Sequence, residues 1–225
     1  MFPLIRNAKL ISFIKLYLQK WIMKIYRLEN GSMEEIVQAC ARQLMMPGAV
    51  LAVPTETVYG LVCRWDDPAG IERIYRLKER DRGKPLAMFA DSIAMLEAHG
   101  VILSWNALLL TDKFCPGPIT IIVQDAHGTK TGYRIPDHPF ILALLKSLGV
   151  PLASTSANLS GLPNALNIDD AVRDLNGEPD MIVDAGTIPG NCQASTVVDM
   201  SGVEYRILRA GPISETEIRQ ELNIK

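Results

Sequence analysis

Apolar positions along the chain recur at two periods, and the switches between them mark out its elements. Behind a Ser32-Met33-Glu34-Glu35 capping box, Ile36, Val37, Cys40, Ala41 and Leu44 fall on one helical face, and Pro47-Gly48 stops the pattern. A continuous apolar run at 49–53 predicts a buried strand. It leads into a hydroxyl-rich loop at 54–60 and a short apolar piece at 61–63. Asp67-Pro68 is a cap followed by proline at the first helical position, opening a helix through Ile71, Ile74, Tyr75 and Leu77. Strands are expected at 86–90, 119–123, 131–135 and 150–153, and extended segments at 180–184, 195–200 and 203–208. Helices are expected near 91–99, 103–114, 139–148 and 168–175, with Ser214-Glu215-Thr216-Glu217 capping a last one. Strands mixed with helices throughout predict a single α/β domain, an open twisted mixed sheet flanked by helices.

Composition changes this picture only at the N-terminus. The apolar fraction of 48% and charged fraction of 21% are ordinary globular values. Of 23 basic and 25 acidic residues, four basic and no acidic ones fall within 1–22, so the remainder carries −6. An anion site must therefore be a local cluster set in a mildly acidic background. Residues 1–22 are read as an N-terminal extension before the domain at 23–225, with an organelle-targeting peptide or a membrane-surface helix as the other readings. Lys15 interrupts the apolar stretch, which argues against a secretory signal, and the segment is too short and too charged to span a bilayer. Four widely spaced cysteines without a CxxC read as buried free thiols, and three histidines without tight spacing give no zinc pattern.

Candidate chemistry gathers in polar clusters beside apolar strands. The first is Pro54-Thr55-Glu56-Thr57-Val58-Tyr59, either an ordinary turn or a recognition loop. The second is Arg76, Lys78, Arg80, Arg82 and Lys84 at alternate positions. Its cations either sit at a helix C-terminus, favoured by the dipole, or end as an extended cationic rail suited to phosphate. The third, 154–160, is either a hydroxyl-rich helix start or an oxygen-binding loop. Thr120 by default is a hydrogen-bonded core threonine; Arg134, Ser195, Thr196 and Arg209 stand at strand ends. GxxxxGK[ST], GxGxxG and GxSxG are all absent, which disfavours the usual nucleotide loops and a serine nucleophile.

Taken together in chain order, these stretches carry a resemblance. They are PTETVYGL from Pro54, Lys78-x-Arg80 with Lys84-Pro85-Leu86, Pro116-Gly117-Pro118-Ile119-Thr120, and Arg134-Ile135-Pro136. Ser156-x-Asn158, Ser195-Thr196-Val197-Val198-Asp199 and Leu208-Arg209-x-Gly211-Pro212 complete the set. In this order and spacing the chain resembles the YrdC-type family of threonylcarbamoyl-AMP synthases, in its single-domain form, over residues 33–222. The resemblance implies an open α/β fold with a large, partly cationic concave face. It also implies a nucleotidyltransferase reaction that joins L-threonine, bicarbonate and ATP to give L-threonylcarbamoyl-adenylate and pyrophosphate.

That product would pass to the tRNA threonylcarbamoyl-transfer machinery for t6A37 modification, in the cytoplasm. The resemblance assigns Lys78 and Arg80 to catalysis and, with Lys84, Thr120, Ser156, Asn158 and Arg209, to ATP, whose Mg²⁺ travels with the nucleotide. Ser156 and Asn158 would be helped by amides at a following helix start. Threonine falls to Thr55, Thr57, Arg134, Ser154 and Ser195. Many relatives carry a histidine where this chain has Phe89, so a histidine contact does not transfer.

Two other classes compete. A double-stranded RNA-binding or ribosome-maturation module could use the same basic face, at least weakly, but it would not need the Thr/Ser/Asn set, and the net charge opposes it. Carbamoyl transfer, as in hydrogenase maturation, belongs to longer chains with acylphosphatase and zinc-finger segments.

Overall fold

The computed structural model describes residues 24–125, 127–173, 175–189 and 192–224; the expected extension at 1–22 lies outside them. Short-range signals fold as their chemistry dictates. Ser32 accepts a hydrogen bond from Glu35 N and starts α1 (Met33–Leu44); the reciprocal bond of a full capping box is seen instead at Ser214 and Glu217, before α7 (Glu215–Glu221). Asp67 caps α2 (Pro68–Lys78), which Glu79 ends in a left-handed conformation at φ 48°. The remaining helices are α3 (Ile93–Ala98), α4 (Trp105–Phe114), α5 (Pro139–Leu148) and α6 (Ile168–Arg173).

The strands are β1 (Lys24–Arg27), β2 (Leu51–Val53), β3 (Gly60–Arg64), β4 (Ala87–Phe89) and β5 (Ile119–Gln124). They continue with β6 (Lys130–Arg134), β7 (Leu152–Ser156), β8 (Met181–Asp184), β9 (Thr196–Asp199) and β10 (Arg206–Arg209). They form one mixed sheet in the order β1-β8-β2-β3-β7-β4-β6-β5-β9-β10. β1 was not expected from the sequence, because KIYR is a largely exposed edge strand with no apolar run.

Register decides which side chains share a face, since partners opposite one another across a ladder project to the same side. Leu61, Cys63, Ala153, Ala52 and Ile182 lie on one face and pack against α2 and α6. Further along that face Met88, Tyr133, Ile121 and Val198 pack against α3, α4 and α7. The opposite face carries Leu51, Val53, Val62 and Leu152 under α1 and α5. There the fully buried Leu44 of α1 contributes about 1.5–3 kcal/mol.

Beyond that helical cover the second face changes character. Ala87, Gly132, Ile122 and Val197 are only half-buried, while Met88, Tyr133, Ile121 and Val198 beside them on the first face are buried. This half of the second face is the open side of the sheet.

Candidate active site

Six of the expected site residues fall on or beside that open half-face. Gly60 pairs with Ser156, Ala87 with Ser154, and Phe89 with Arg134. Thr120 pairs with Val197, which in turn pairs with Arg209, and Ser195 enters the same group through its side chain. The expected strand-end placement holds: Arg134, Ser156 and Arg209 are the last residues of β6, β7 and β10, Ser195 directly precedes β9, and Thr120 is the second residue of β5.

Lys78 forms one end. It is 1% exposed, and its Nζ donates to the carbonyl oxygens of Ser156 and Asn158 and, at 3.5 Å, to Asn158 Oδ1. Its own carbonyl accepts from Ser160 N at 3.0 Å. Asn158 Nδ2 donates to the carbonyls of Leu159 and Leu162 at 2.9 and 2.8 Å, folding 158–162 into a tight turn. Burial, aided by the charge of Arg80, pushes the Lys78 ammonium down to about 7. Three oxygen acceptors around Nζ oppose that shift, because they favour the cation. Arg80 is half-buried, with Nε on Lys84 O at 2.8 Å and Nη2 on Pro85 O at 3.1 Å; burial lowers its pKa.

Two expectations about this end are corrected. The alternating cations do not form a rail: Arg76 and Lys78 belong to α2, the chain turns at Glu79, Arg82 pairs back onto Glu72, and Lys84 is exposed. No helix starts after Asn158 either. Ser154, Thr155 and Ser156 are the end of β7, and the next helix, α6, begins at Ile168. Amides of a helix N-terminus therefore play no part at Ser156.

The loop between β2 and β3 forms the other end. Thr55 Oγ1 donates to Val58 O at 2.7 Å and accepts from Thr57 N and Val58 N at 3.1 and 3.2 Å. It also meets Thr57 Oγ1 at 2.9 Å. Thr55 is thus the brace of its own loop. Arg134, 4% exposed, donates from Nη2 to Thr57 Oγ1 at 3.1 Å and from Nε to Gly117 O at 3.2 Å, and lies 5.5 Å from the Phe89 ring centroid. Its Nη2 also pairs with Glu56 Oε1 at 2.6 Å. Arg134 thus lies beside the loop hydroxyls, and Glu56, a residue given no role by the resemblance, already holds it.

A third group joins the two ends. Thr120 Oγ1 and Ser195 Oγ lie 2.8 Å apart, and Arg209 donates from Nη2 to Ser195 Oγ and from Nε to Ser195 O, both at 2.9 Å. Burial lowers the pKa of Arg209, and so do the charges of Arg134 and Arg80. Arg80 from the turn after α2, Arg134 from β6 and Arg209 from β10 are therefore close enough to act on one another. Concentrated like charge of this kind on hydroxyl-lined strands suits a polyanion beside a carboxylate.

Gly60 was not singled out from the sequence. A Cβ there would stand 3.2 Å from Thr155 O, 3.7 Å from Ser154 Oγ and 3.9 Å from the Thr55 methyl, so glycine keeps the space between those two hydroxyl residues open. Among the described residues no group of three or more His, Cys, Asp or Glu side chains is placed to hold a metal ion. No helix among them is long and apolar enough to cross a membrane. All four cysteines are free, but only Cys40 and Cys63 are buried as expected, Cys115 and Cys192 being partly exposed; His138 stands at the N-cap of α5.

Comparison with known proteins gives consistent results. The model for the Sua5/YciO/YrdC family, described as telomere recombination, matches residues 43–211. A Mus musculus protein named threonylcarbamoyl-AMP synthase is 35% identical over 199 residues, covering 81% of this chain and 69% of its own. The Bacillus subtilis protein of that name is 33% identical over 210 residues, and the match covers 89% of this chain and 60% of the relative. Among solved structures, P. abyssi Sua5 complexed with L-threonine superposes with a TM-score of 0.79 at 27% identity, over 89% of this chain and 61% of that one. E. coli YciO superposes at 0.76 over 88% and 98%; at 22% identity it shows the fold alone.

Proposed function

The chain belongs to the Sua5/YciO/YrdC family, and from that premise we propose that it makes L-threonylcarbamoyl-adenylate and pyrophosphate from L-threonine, bicarbonate and ATP. The observation that carries this reading is the placement of two hydrogen-bonded arginines on one half-face of the sheet, Arg134 on Thr57 and Arg209 on Ser195 beside Thr120: a cation suited to phosphate adjoins the cation suited to an amino-acid carboxylate. Relatives named for this activity, and a Sua5 structure complexed with L-threonine, support the choice of substrate.

The chemistry asks little covalent work of the protein. A carbamate oxygen attacks the α-phosphorus, the bond to the bridging oxygen breaks, and pyrophosphate leaves. Alignment and neutralised phosphate charge lower the barrier without an enzyme nucleophile. Arg134 takes the threonine carboxylate, with Thr57, Ser154 and Ser195 around the amino acid and Thr55 holding the loop in shape. Arg80 and Arg209 take phosphate oxygens, joined by Lys84, Thr120 and the Ser156 hydroxyl. Lys78 adds its charge from below while fixing the carbonyls of Ser156 and Asn158. Mg²⁺ would be carried by the phosphates of ATP and would offset their charge there; the described residues offer no carboxylate set of their own for it.

The product is a mixed carbamic–phosphoric anhydride. We assign its use to transfer onto tRNA in t6A37 modification, in the cytoplasm. An RNA-binding role is not favoured, because Arg82 is paired with Glu72 and the cations do not form a continuous phosphate track. The test is incorporation of labelled bicarbonate into a threonine-containing adenylate identified by mass. Formation of the labelled adenylate by purified protein supports the assignment, and its absence with all three substrates present would refute it.

A further inference from the structure

Glu56 stands between the two threonines of the β2–β3 loop. Its Oε1 has two partners, Arg134 Nη2 at 2.6 Å and Asp137 N at 2.9 Å. Its Oε2 is buried and has no hydrogen-bond partner, one of two such side-chain atoms among the described residues. The other is His138 Nδ1, on a ring that feels the Glu56 charge.

A buried carboxylate oxygen without a donor is destabilising. The local structure does not require it, since Oε1 alone satisfies both Arg134 and the Asp137 amide. Loop geometry thus sets an acceptor with negative charge directly beside the arginine assigned to a carboxylate. An α-amino acid presents the complementary pair, a carboxylate and an ammonium on adjacent atoms.

We propose that Glu56 is a specificity-determining residue whose Oε2 accepts the α-ammonium of threonine while Arg134 takes its carboxylate. This rests on the threonine reading given above and deepens it. The nitrogen leaves that ion pair in the next step, because only the deprotonated amine is nucleophilic. As the amine forms its N–C bond to bicarbonate, the C–OH bond breaks, hydroxide takes one ammonium proton and leaves as water, and the second proton goes to solvent. The nitrogen loses its positive charge and gains a carbamate anion. Glu56 repels that anion, and Arg80 and Arg209 attract it toward the nucleotide.

The experiment compares L-threonine with 2,3-dihydroxybutanoate, in which a hydroxyl replaces the ammonium, by calorimetry on the full chain and on Glu56→Gln, with ATP binding as the control for folding. The wild type is expected to prefer threonine. Glu56→Gln is expected to lose about ten- to a hundredfold in threonine affinity, the scale of a charge-assisted contact. Its binding of ATP and of the dihydroxy acid is expected to be unchanged. Equal weakening of both acids in the variant would show that Glu56 only orients Arg134, and would overturn the proposal, as would an undiminished preference for threonine. A wild type that binds ATP but neither acid would instead remove the threonine reading beneath it.

Discussion

Lys78 and Ser156 stand 78 positions apart in the chain and meet through a hydrogen bond from the lysine Nζ to the serine carbonyl. The contact ties the end of α2 to the end of β7, and it gives Lys78 a second task beside carrying charge. Lys78→Ala removes the Nζ donor from the carbonyl of Asn158 and from that of Ser156, which keeps Asn158 N at 3.1 Å. Pyrophosphate release is expected to fall about ten- to a hundredfold, and stability by about 1–3 kcal/mol, as buried acceptors lose that donor. Steady-state kinetics and urea melts on one preparation check both; full activity would contradict the role.

The same lysine gives opposite signs to stability and activity above neutral pH. Its ordinary value of 10.5 is lowered to about 7 in the fold, by burial first and then by Arg80. Between about pH 7 and 10.5 the unfolded chain therefore holds a proton that the folded chain has lost, so this group makes stability rise with pH across that window. Activity runs the other way: neutral Lys78 no longer offsets phosphate charge, and kcat/KM is expected to fall above about pH 7. Lys78→Arg, always charged, is expected to lack that alkaline limb even if its activity is low. An identical limb in the variant would assign it to another group.

Arg209 is predicted to separate the two substrates. Its guanidinium reaches Ser195 and feels Arg80 and Arg134, yet it lies on β10, at the edge of the sheet farthest from the β2–β3 loop. Arg209→Ala is expected to weaken ATP binding about tenfold or more and to weaken threonine less, through the loss of its hold on Ser195. Calorimetry with each substrate alone is the check.

Asp199 anchors the hairpin that carries Arg209. Burial raises its pKa, but bonds from the Ser201 hydroxyl and amide, with Lys130, outweigh it and hold the carboxyl at about 2, against an ordinary 3.8. A depressed carboxyl contributes stability that is full above the unfolded value and is lost as pH falls from about 4 to 2. Asp199→Asn is expected to flatten that part of the acid-denaturation curve. It should also lower activity less than Arg209→Ala does. Acid melts of the two proteins decide it.

What the sequence made legible was local. Ser32, Asp67 and Ser214 announce their helices because a cap needs only the next three residues, and the apolar runs at 49–53 and 119–123 need only burial. Long-range pairing was out of reach: no spacing tells that Glu56 meets Arg134, or that Ser154 and Thr120 share a face. The alternation from Arg76 to Lys84 misled because its meaning depends on the backbone, which changes from helix to left-handed turn at Glu79. The polar end of β7 looked like a helix start because hydroxyls serve both roles; here Ser154 and Ser156 are on the face with the open half, and Thr155 is on the other. Family resemblance supplied what spacing could not, by naming residues from distant strands together.

The central claim is that one pocket brings threonine and ATP into line. Pyrophosphate release from ATP by the full chain, measured with and without L-threonine and with and without bicarbonate, tests it most directly. Release that requires both is the predicted result; release that proceeds equally well without threonine would contradict the account.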